Sequence, residues 1–203
     1  MSEIKLDAKD RKILYQLDVN SRQPVSAIAK KVGLSREVVN YRIKSLEKNG
    51  IIEGYYTVID LTKFGYMYCR VFMRVTGMSP LQEKTILDYG RKSQFVKWIT
   101  LSDGKWNITF VIYAKTLADF EKAYDDLRFK LGKYFQDHHV SMAFKIYHFK
   151  HNYLFGTEDY SEDVLGSSRN VKVDKTDYAI LRAIAQNARI RILHLSKRLG
   201  ITY

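Results

Sequence analysis

The chain has 203 residues, 46% of them hydrophobic, enough apolar material for one full-sized domain or several small ones. Its formal net charge of +12 suits a polyanionic partner. A single cysteine, Cys69, excludes a disulfide framework and a thiolate metal site; the longest apolar run, residues 108–114, is too short to span a bilayer and nothing resembles a signal peptide, so a cytoplasmic protein without a membrane partner is expected.

Residues 7–19 carry Ile13, Leu14 and Leu17 at the spacing of one helix face, with Asp7 and Asp10 in the first turn, where carboxylates meet the positive end of the helix dipole. Pro24 opens a second, short helix with Val25, Ile28, Ala29 and Val32 inward, and Gly33 ends it in a left-handed cap. Ser35 caps a third helix that runs to Asn49-Gly50. Residues 51–61 read as a strand, a turn at Glu53-Gly54 and a second strand, the wing of a winged helix-turn-helix.

From Gly65 the hydrophobic period changes. Strands are predicted at 66–75, 95–101, 106–114 and 140–153, the last with Met142, Phe144, Ile146 and His148 in one register. Helices are predicted from Ser79-Pro80 to Arg91 and over 116–131, the second with Leu117, Phe120, Ala123, Tyr124, Leu127 and Leu131 on one side. The order β-α-β-β-α-β is that of ferredoxin-like folds. Residues 157–170 hold Glu158, Asp159, Glu162 and Asp163 and then Gly166-Ser167-Ser168, and read as an acidic linker without structure.

An internal repeat completes the organisation. Residues 6–34 reappear without a gap as residues 173–201, pairing Asp7 with Asp174, Asp10 with Asp177, Asn20 with Asn187, Arg22 with Arg189, Lys30 with Lys197 and Gly33 with Gly200. Apolar positions agree in kind, as in Leu17 with Ile184 and Ile28 with Leu195. The second copy has no recognition helix, and its apolar face of Ile180, Leu181, Ile184, Leu195 and Leu199 is expected to be poorly covered. Arg189, Arg191 and Arg198 make it basic. A truncated tandem protein is the expected explanation, with packing of the fragment on a partner as the alternative. The expected fold class is α+β, in four parts: a winged helix-turn-helix over 1–62, a ferredoxin-like sensing and oligomerisation domain over 63–153, a linker over 154–172 and a partial helix-turn-helix over 173–203.

The third helix carries the chemistry. At ~100° per residue, Val39, Ile43 and Leu46 share one face, opposite Glu37, Asn40, Tyr41, Lys44 and Lys48. A helix that enters a major groove needs this division into an apolar back and a polar front. Asn pairs bidentately with adenine and Arg with guanine. Arg36, Glu37, Asn40 and Tyr41 are therefore the candidate base contacts. Arg22, Lys30, Lys31, Ser35, Arg42, Lys44 and Lys48 are the candidate phosphate contacts, which add affinity without sequence information.

The quoted residues resemble the Lrp/AsnC family of bacterial and archaeal regulators. The likeness rests on residues 6–14, Asn20-Ser21-Arg22, residues 28–35, Val39, Arg42-Ile43, Leu46, Gly50-Ile51-Ile52 and Gly54-Tyr55. It implies a transcription regulator that reads double-stranded DNA, pairs through its sensing domains into a homodimer or larger homo-oligomer, and responds to a small-molecule, often amino-acid, effector. Gly104-Lys105-Trp106-Asn107 is similar to the family's effector turn, with Asn107 where that turn usually has Asp.

No cofactor, metal site or enzyme activity is expected. His138 and His139 are adjacent on a strand and point to opposite faces, and His148 and His151 differ in parity. Asp119, Glu121, Asp125 and Asp126 lie on the wet side of a helix with an apolar stripe. Two alternatives stay open. Some proteins with this domain pair are decarboxylases of a tetrapyrrole, a role for which His148, Arg70 and Arg74 are the suggestive residues. The other is an architectural DNA-binding protein of low specificity, with a steep salt dependence.

Overall fold

A computed structural model describes residues 5–154, 162–166 and 170–202. It resolves into two compact units, one of Met1–Ile59, Tyr147–Asp163 and Val173–Tyr203, the other of Asp60–Ile146 and Val164–Lys172.

The first unit opens with α1 (Ala8–Val19), α2 (Val25–Val32) and α3 (Arg36–Lys48). Asp7 is the N-cap of α1 and forms a capping box: its side chain accepts from the Asp10 N–H, and the Asp10 carboxylate accepts from the Asp7 N–H. Gly33 ends α2 at φ 68°, a left-handed conformation that costs a residue with Cβ about 1 kcal/mol or more. Ser35 caps α3 by accepting from Val38 N–H at 3.3 Å. The three helices enclose Ile13, Leu17, Ile28, Ala29, Val32, Val39, Ile43 and Leu46. Ile13, Ile28 and Val39 are fully buried, each stabilising the unit by roughly 1.5–3 kcal/mol.

The expected wing is not a hairpin: residues 51–60 contain no strand. The N–H groups of Ile51 and Ile52 both donate to the Leu46 carbonyl, closing the end of α3 rather than starting a ladder. The Tyr55 carbonyl accepts from Ala188 N–H at 2.8 Å and the Thr57 hydroxyl donates to the Ile184 carbonyl at 3.0 Å. Polar groups that a hairpin would pair internally are satisfied by the second repeat.

That repeat forms α6 (Lys175–Gln186) and α7 (Ile192–Leu199). Asp174 and Asp177 make the same capping box, and Gly200 is left-handed at φ 64°. Its apolar residues are covered unevenly. Ala183, Ala188 and Leu195 are buried, Ile180, Leu181, Ile184 and Leu199 are half-buried, and Ile192 is 58% exposed. A short 3-10 turn, Asn152–Leu154, packs near α1 in the same unit, where the His151 ring meets the Asp18 carboxylate at 2.8 Å.

The second unit is a four-stranded antiparallel sheet carrying two helices. Its elements are β1 (Met67–Arg74), α4 (Pro80–Lys92), β2 (Val96–Leu101), β3 (Ile108–Ala114), α5 (Leu117–Leu131) and β4 (Asp137–Ala143). The strand order β2-β3-β1-β4 is the ferredoxin-like one. Alternate residues of β1 and β3, including Cys69, Val71, Met73, Ile108, Phe110 and Ile112, form a core with Ile86 of α4 and Phe120, Ala123, Leu127 and Leu131 of α5. Burial pushes the Cys69 thiol above its ordinary pKa, which leaves it a packing residue.

Two expectations need correction. The single last strand is two: the ladder of β4 with β1 ends at Tyr68–Ala143, and β5 (Ile146–Phe149) pairs instead with β6 (Glu162–Leu165). The segment read as a structureless linker therefore contains a strand, since four of its residues supply the backbone partners that β5 lacks. Glu158, Asp159, Ser167 and Ser168 lie outside the described residues.

Candidate nucleic-acid interface

The interface is built on α3. Because Val39, Ile43 and Leu46 are buried, the opposite stripe is fixed toward solvent, and Arg36, Glu37, Asn40, Tyr41, Lys44 and Lys48 are all exposed. Tyr41 shows 73% of its surface. Arg36, Glu37 and Asn40 line a groove of about 400 Å³ with Val25. A second groove, of about 290 Å³, shares Val25 and Asn40 and continues past Lys44 to Tyr55. The four base-contact candidates thus lie on adjoining turns, and two of them, Arg36 and Asn40, are spaced to face one way.

Glu37 titrates below the ordinary carboxylate range because its own backbone N–H and the Ser35 hydroxyl donate to it, with Arg36 assisting. The carboxylate is held ionised at the N-terminal turn of α3, where it acts as an acceptor only. Tyr55, beyond the end of the helix, is pushed up to about 12, by burial first and then by the hydrogen bond and charge of Glu47, while Arg189 pulls the other way.

The phosphate candidates divide into two groups. Lys30, Lys44 and Lys48 are exposed on α2 and α3, and Ser35 keeps its hydroxyl at the exposed start of α3. Lys31 donates to the Gln23 side chain at 3.1 Å. Arg42 is a correction: it is bound to Asp7 at 2.7 Å and Asp10 at 2.8 Å. Its guanidinium ties α3 to the capping box of α1, and both pairings raise its pKa further. Arg22 is a second correction, since its guanidinium donates to the carbonyl oxygens of Ala188 and Ile190. Sequence spacing identified both as surface cations but carries no information on partners 32 or 166 residues away.

The expected effector turn is a structural tie in its last residue. The Asn107 amide donates to the Val75 carbonyl at 2.7 Å and its oxygen accepts from Val75 N–H at 3.0 Å, so this side chain closes the end of β1. Asp cannot make both bonds when ionised. Gly104 sits at φ 128°, Lys105 Nζ lies 4.8 Å from the Trp106 ring centroid, and Trp106 stacks on His139. His138 contacts Tyr124 instead, on the other face of β4. Arg70 lies 5.9 and 5.3 Å from the rings of Tyr68 and Phe72. Among the described residues no group of three or more His, Cys, Asp or Glu is placed to hold a metal ion. Among the same residues, no helix is long and apolar enough to cross a membrane.

A family model for winged helix-turn-helix DNA-binding domains matches residues 6–53 and, a second time, 173–203. The HTH-type transcriptional regulator LrpA of Pyrococcus horikoshii is 36% identical over 130 residues, covering 63% of this chain and 87% of the relative. The chain belongs to the Lrp/AsnC family. This Lrp/AsnC protein is a DNA-binding transcriptional regulator. Solved structures agree in fold. An AsnC family regulator from Agrobacterium tumefaciens superposes with a TM-score of 0.56 at 24% identity, covering 68% of this chain and 90% of the other. A Neisseria meningitidis regulator in complex with L-Met gives 0.56 at 21%, with 68% and 90% covered. These alignments leave about a third of this chain unmatched.

Proposed function

We propose that this protein regulates transcription by reading a specific double-stranded DNA sequence with α3, as a cytoplasmic homodimer or larger homo-oligomer rather than as an enzyme. The observation that carries the reading is the two-sided build of α3, with a buried apolar back and six exposed polar or charged residues on its front. Arg36, Glu37, Asn40 and Tyr41 contact base edges; Lys30, Lys44 and Lys48 hold phosphates, Ser35 joins them when its hydroxyl turns away from Glu37, and Lys31 when it leaves Gln23. Residues 1–62 form the reading part and 63–153 the sensing and assembly part. An amino-acid-like effector modulates binding, supported by the L-Met complex of the N. meningitidis regulator. In this turn Lys105 and Trp106 face the effector, while Asn107 holds the strand beneath them.

The test is selection from randomised duplex DNA at two salt concentrations. Enrichment of one pseudo-palindrome is expected, with half-sites about 34–36 Å apart or a multiple of that. Salt-sensitive binding without an enriched sequence would replace this reading with the architectural one. Absence of binding at both salts would remove it. For the effector, each of the common amino acids is added to the selected complex; no change in affinity with any of them would sink that part.

A further inference from the structure

The two repeats exchange equivalent arginines. Arg22 and Arg189 stand at the same position of the same turn: the Asn20 side chain accepts from Arg22 N–H at 2.9 Å and the Asn187 side chain from Arg189 N–H at 3.0 Å. Their guanidinium groups then part. Arg22 reaches into the second repeat and is consumed by the carbonyls of Ala188 and Ile190, which clasps that turn against the first repeat. Arg189 reaches the other way, and its guanidinium carbon lies 5.0 Å from the centroid of the Tyr55 ring.

The place Arg189 reaches is the recognition groove. Asn40, Lys44, Glu47, Tyr55, Asn187 and Arg189 line the same concavity of about 290 Å³. Glu47 is the one carboxylate among them, and it accepts the Tyr55 hydroxyl at 2.8 Å. Among the described residues Arg189 has no ion-pair partner, and its Nη1 is buried without a hydrogen bond. Glu47 is engaged by the Tyr55 hydroxyl rather than paired with Arg189, and a half-buried guanidinium seated on a ring with no carboxylate bound to it suits an anion supplied from outside, met by its exposed edge rather than by the buried Nη1. Lys44 shares the groove, so the net charge there favours the same ligand.

We propose that Arg189, contributed by the second repeat, contacts a DNA phosphate beside the recognition helix of the first repeat. The second repeat is thereby part of the reading surface. The inference rests on α3 being the DNA-reading helix.

The experiment uses the full 203-residue chain and the duplex selected by it, with affinity measured across a salt series. Arg189→Ala is expected to weaken binding to all sequences alike, by about five- to tenfold near physiological salt, and to reduce the salt slope by about one unit. Arg189→Lys keeps the charge and is expected to restore the slope and most of the affinity. Arg198→Ala, which removes an exposed charge elsewhere on the second repeat, is expected to leave the slope unchanged. Wild-type affinity and slope in Arg189→Ala overturn the proposal. So does a loss with an unchanged slope that Lys fails to rescue, because the arginine then only supports Tyr55. If the unmodified chain selects no duplex, the reading of α3 itself has failed; if it selects one and Arg189→Ala binds it normally, only this inference has.

Discussion

The two helix-turn-helix repeats share local geometry and differ in burial. Each opens with a reciprocal Asp–Asp capping box, turns at an Asn that accepts from the Arg two residues on, and closes its second helix with a left-handed glycine. Yet Ile28 is fully buried while its equivalent Leu195 keeps 9% exposure, and Ile13 is fully buried while Ile180 is only half-covered. The difference is cover: α3 lies over the first repeat's apolar face, whereas the described residues place no such helix over the second. Caps and turns depend on residues three or four apart and form wherever the sequence repeats. A core needs a third surface to close it, and the second repeat takes a partial substitute from Tyr55, Thr57 and Arg22.

The largest expected effect tests that contrast directly. Ile13→Ala should cost about 2–5 kcal/mol, by the lost burial and the cavity it leaves. Ile180→Ala in the half-covered repeat should cost roughly 1 kcal/mol. Urea unfolding measures both, and equal losses would show that the second repeat is as well closed as the first.

Function sharpens the contrast next. Asn40→Ala on α3 should cost ~1–3 kcal/mol at one base position and relax preference there. His194→Ala on α7 should leave the preference untouched. Selection repeated with each variant decides it, and a shifted preference with His194→Ala would assign base reading to the second repeat.

At the caps the repeats should behave alike. Gly33→Ala and Gly200→Ala each force an L residue into the left-handed region, at φ 68° and 64°, for about 1 kcal/mol. Amide hydrogen exchange in α2 and α7 should report similar losses of protection. Unequal losses would break the claim that local geometry is independent of burial.

The smallest effect is the acid response. The pKa of Asp7 is lowered from 3.8, by the Asp10 backbone N–H first and then by the Arg42 hydrogen bond. A depressed carboxylate pKa contributes stability that is present above the unfolded value and lost as pH falls through the folded one, so the window lies below 3.8. Arg42→Gln should flatten the loss there, read as urea midpoints between about pH 5 and pH 2. An unchanged acid profile would mean that Arg42 contributes nothing to the depression.

Much of the fold was legible in the residues, for identifiable reasons. Ser35 and Gly33 bracket α3 because capping is local. Val39, Ile43 and Leu46 are buried as a helical period requires. The ferredoxin-like strand order follows from element order, because short connections leave few pairings. The failures were non-local. Residues 51–60 form no hairpin and the Tyr55 carbonyl accepts from distant Ala188 instead, and the chain after Ala143 leaves β1 for the distant strand β6.

The candidate site divides the same way. Sequence alone determined which residues lie on the exposed front of α3, since helical periodicity and a buried back leave no freedom in that choice. It also determined that a second helix-turn-helix start exists, since repetition is visible in one dimension. Only the tertiary structure decided which cations are committed elsewhere. Arg42 belongs to Asp7 and Asp10, and Arg22 to the carbonyls of Ala188 and Ile190; the neutral Asn107 amide is likewise spent on Val75. It also decided that Arg189 stands beside Asn40 and Lys44. The physical reason is that a charge is long-reaching and unspecific in sequence, and its partner is set by which chain segments fold against it.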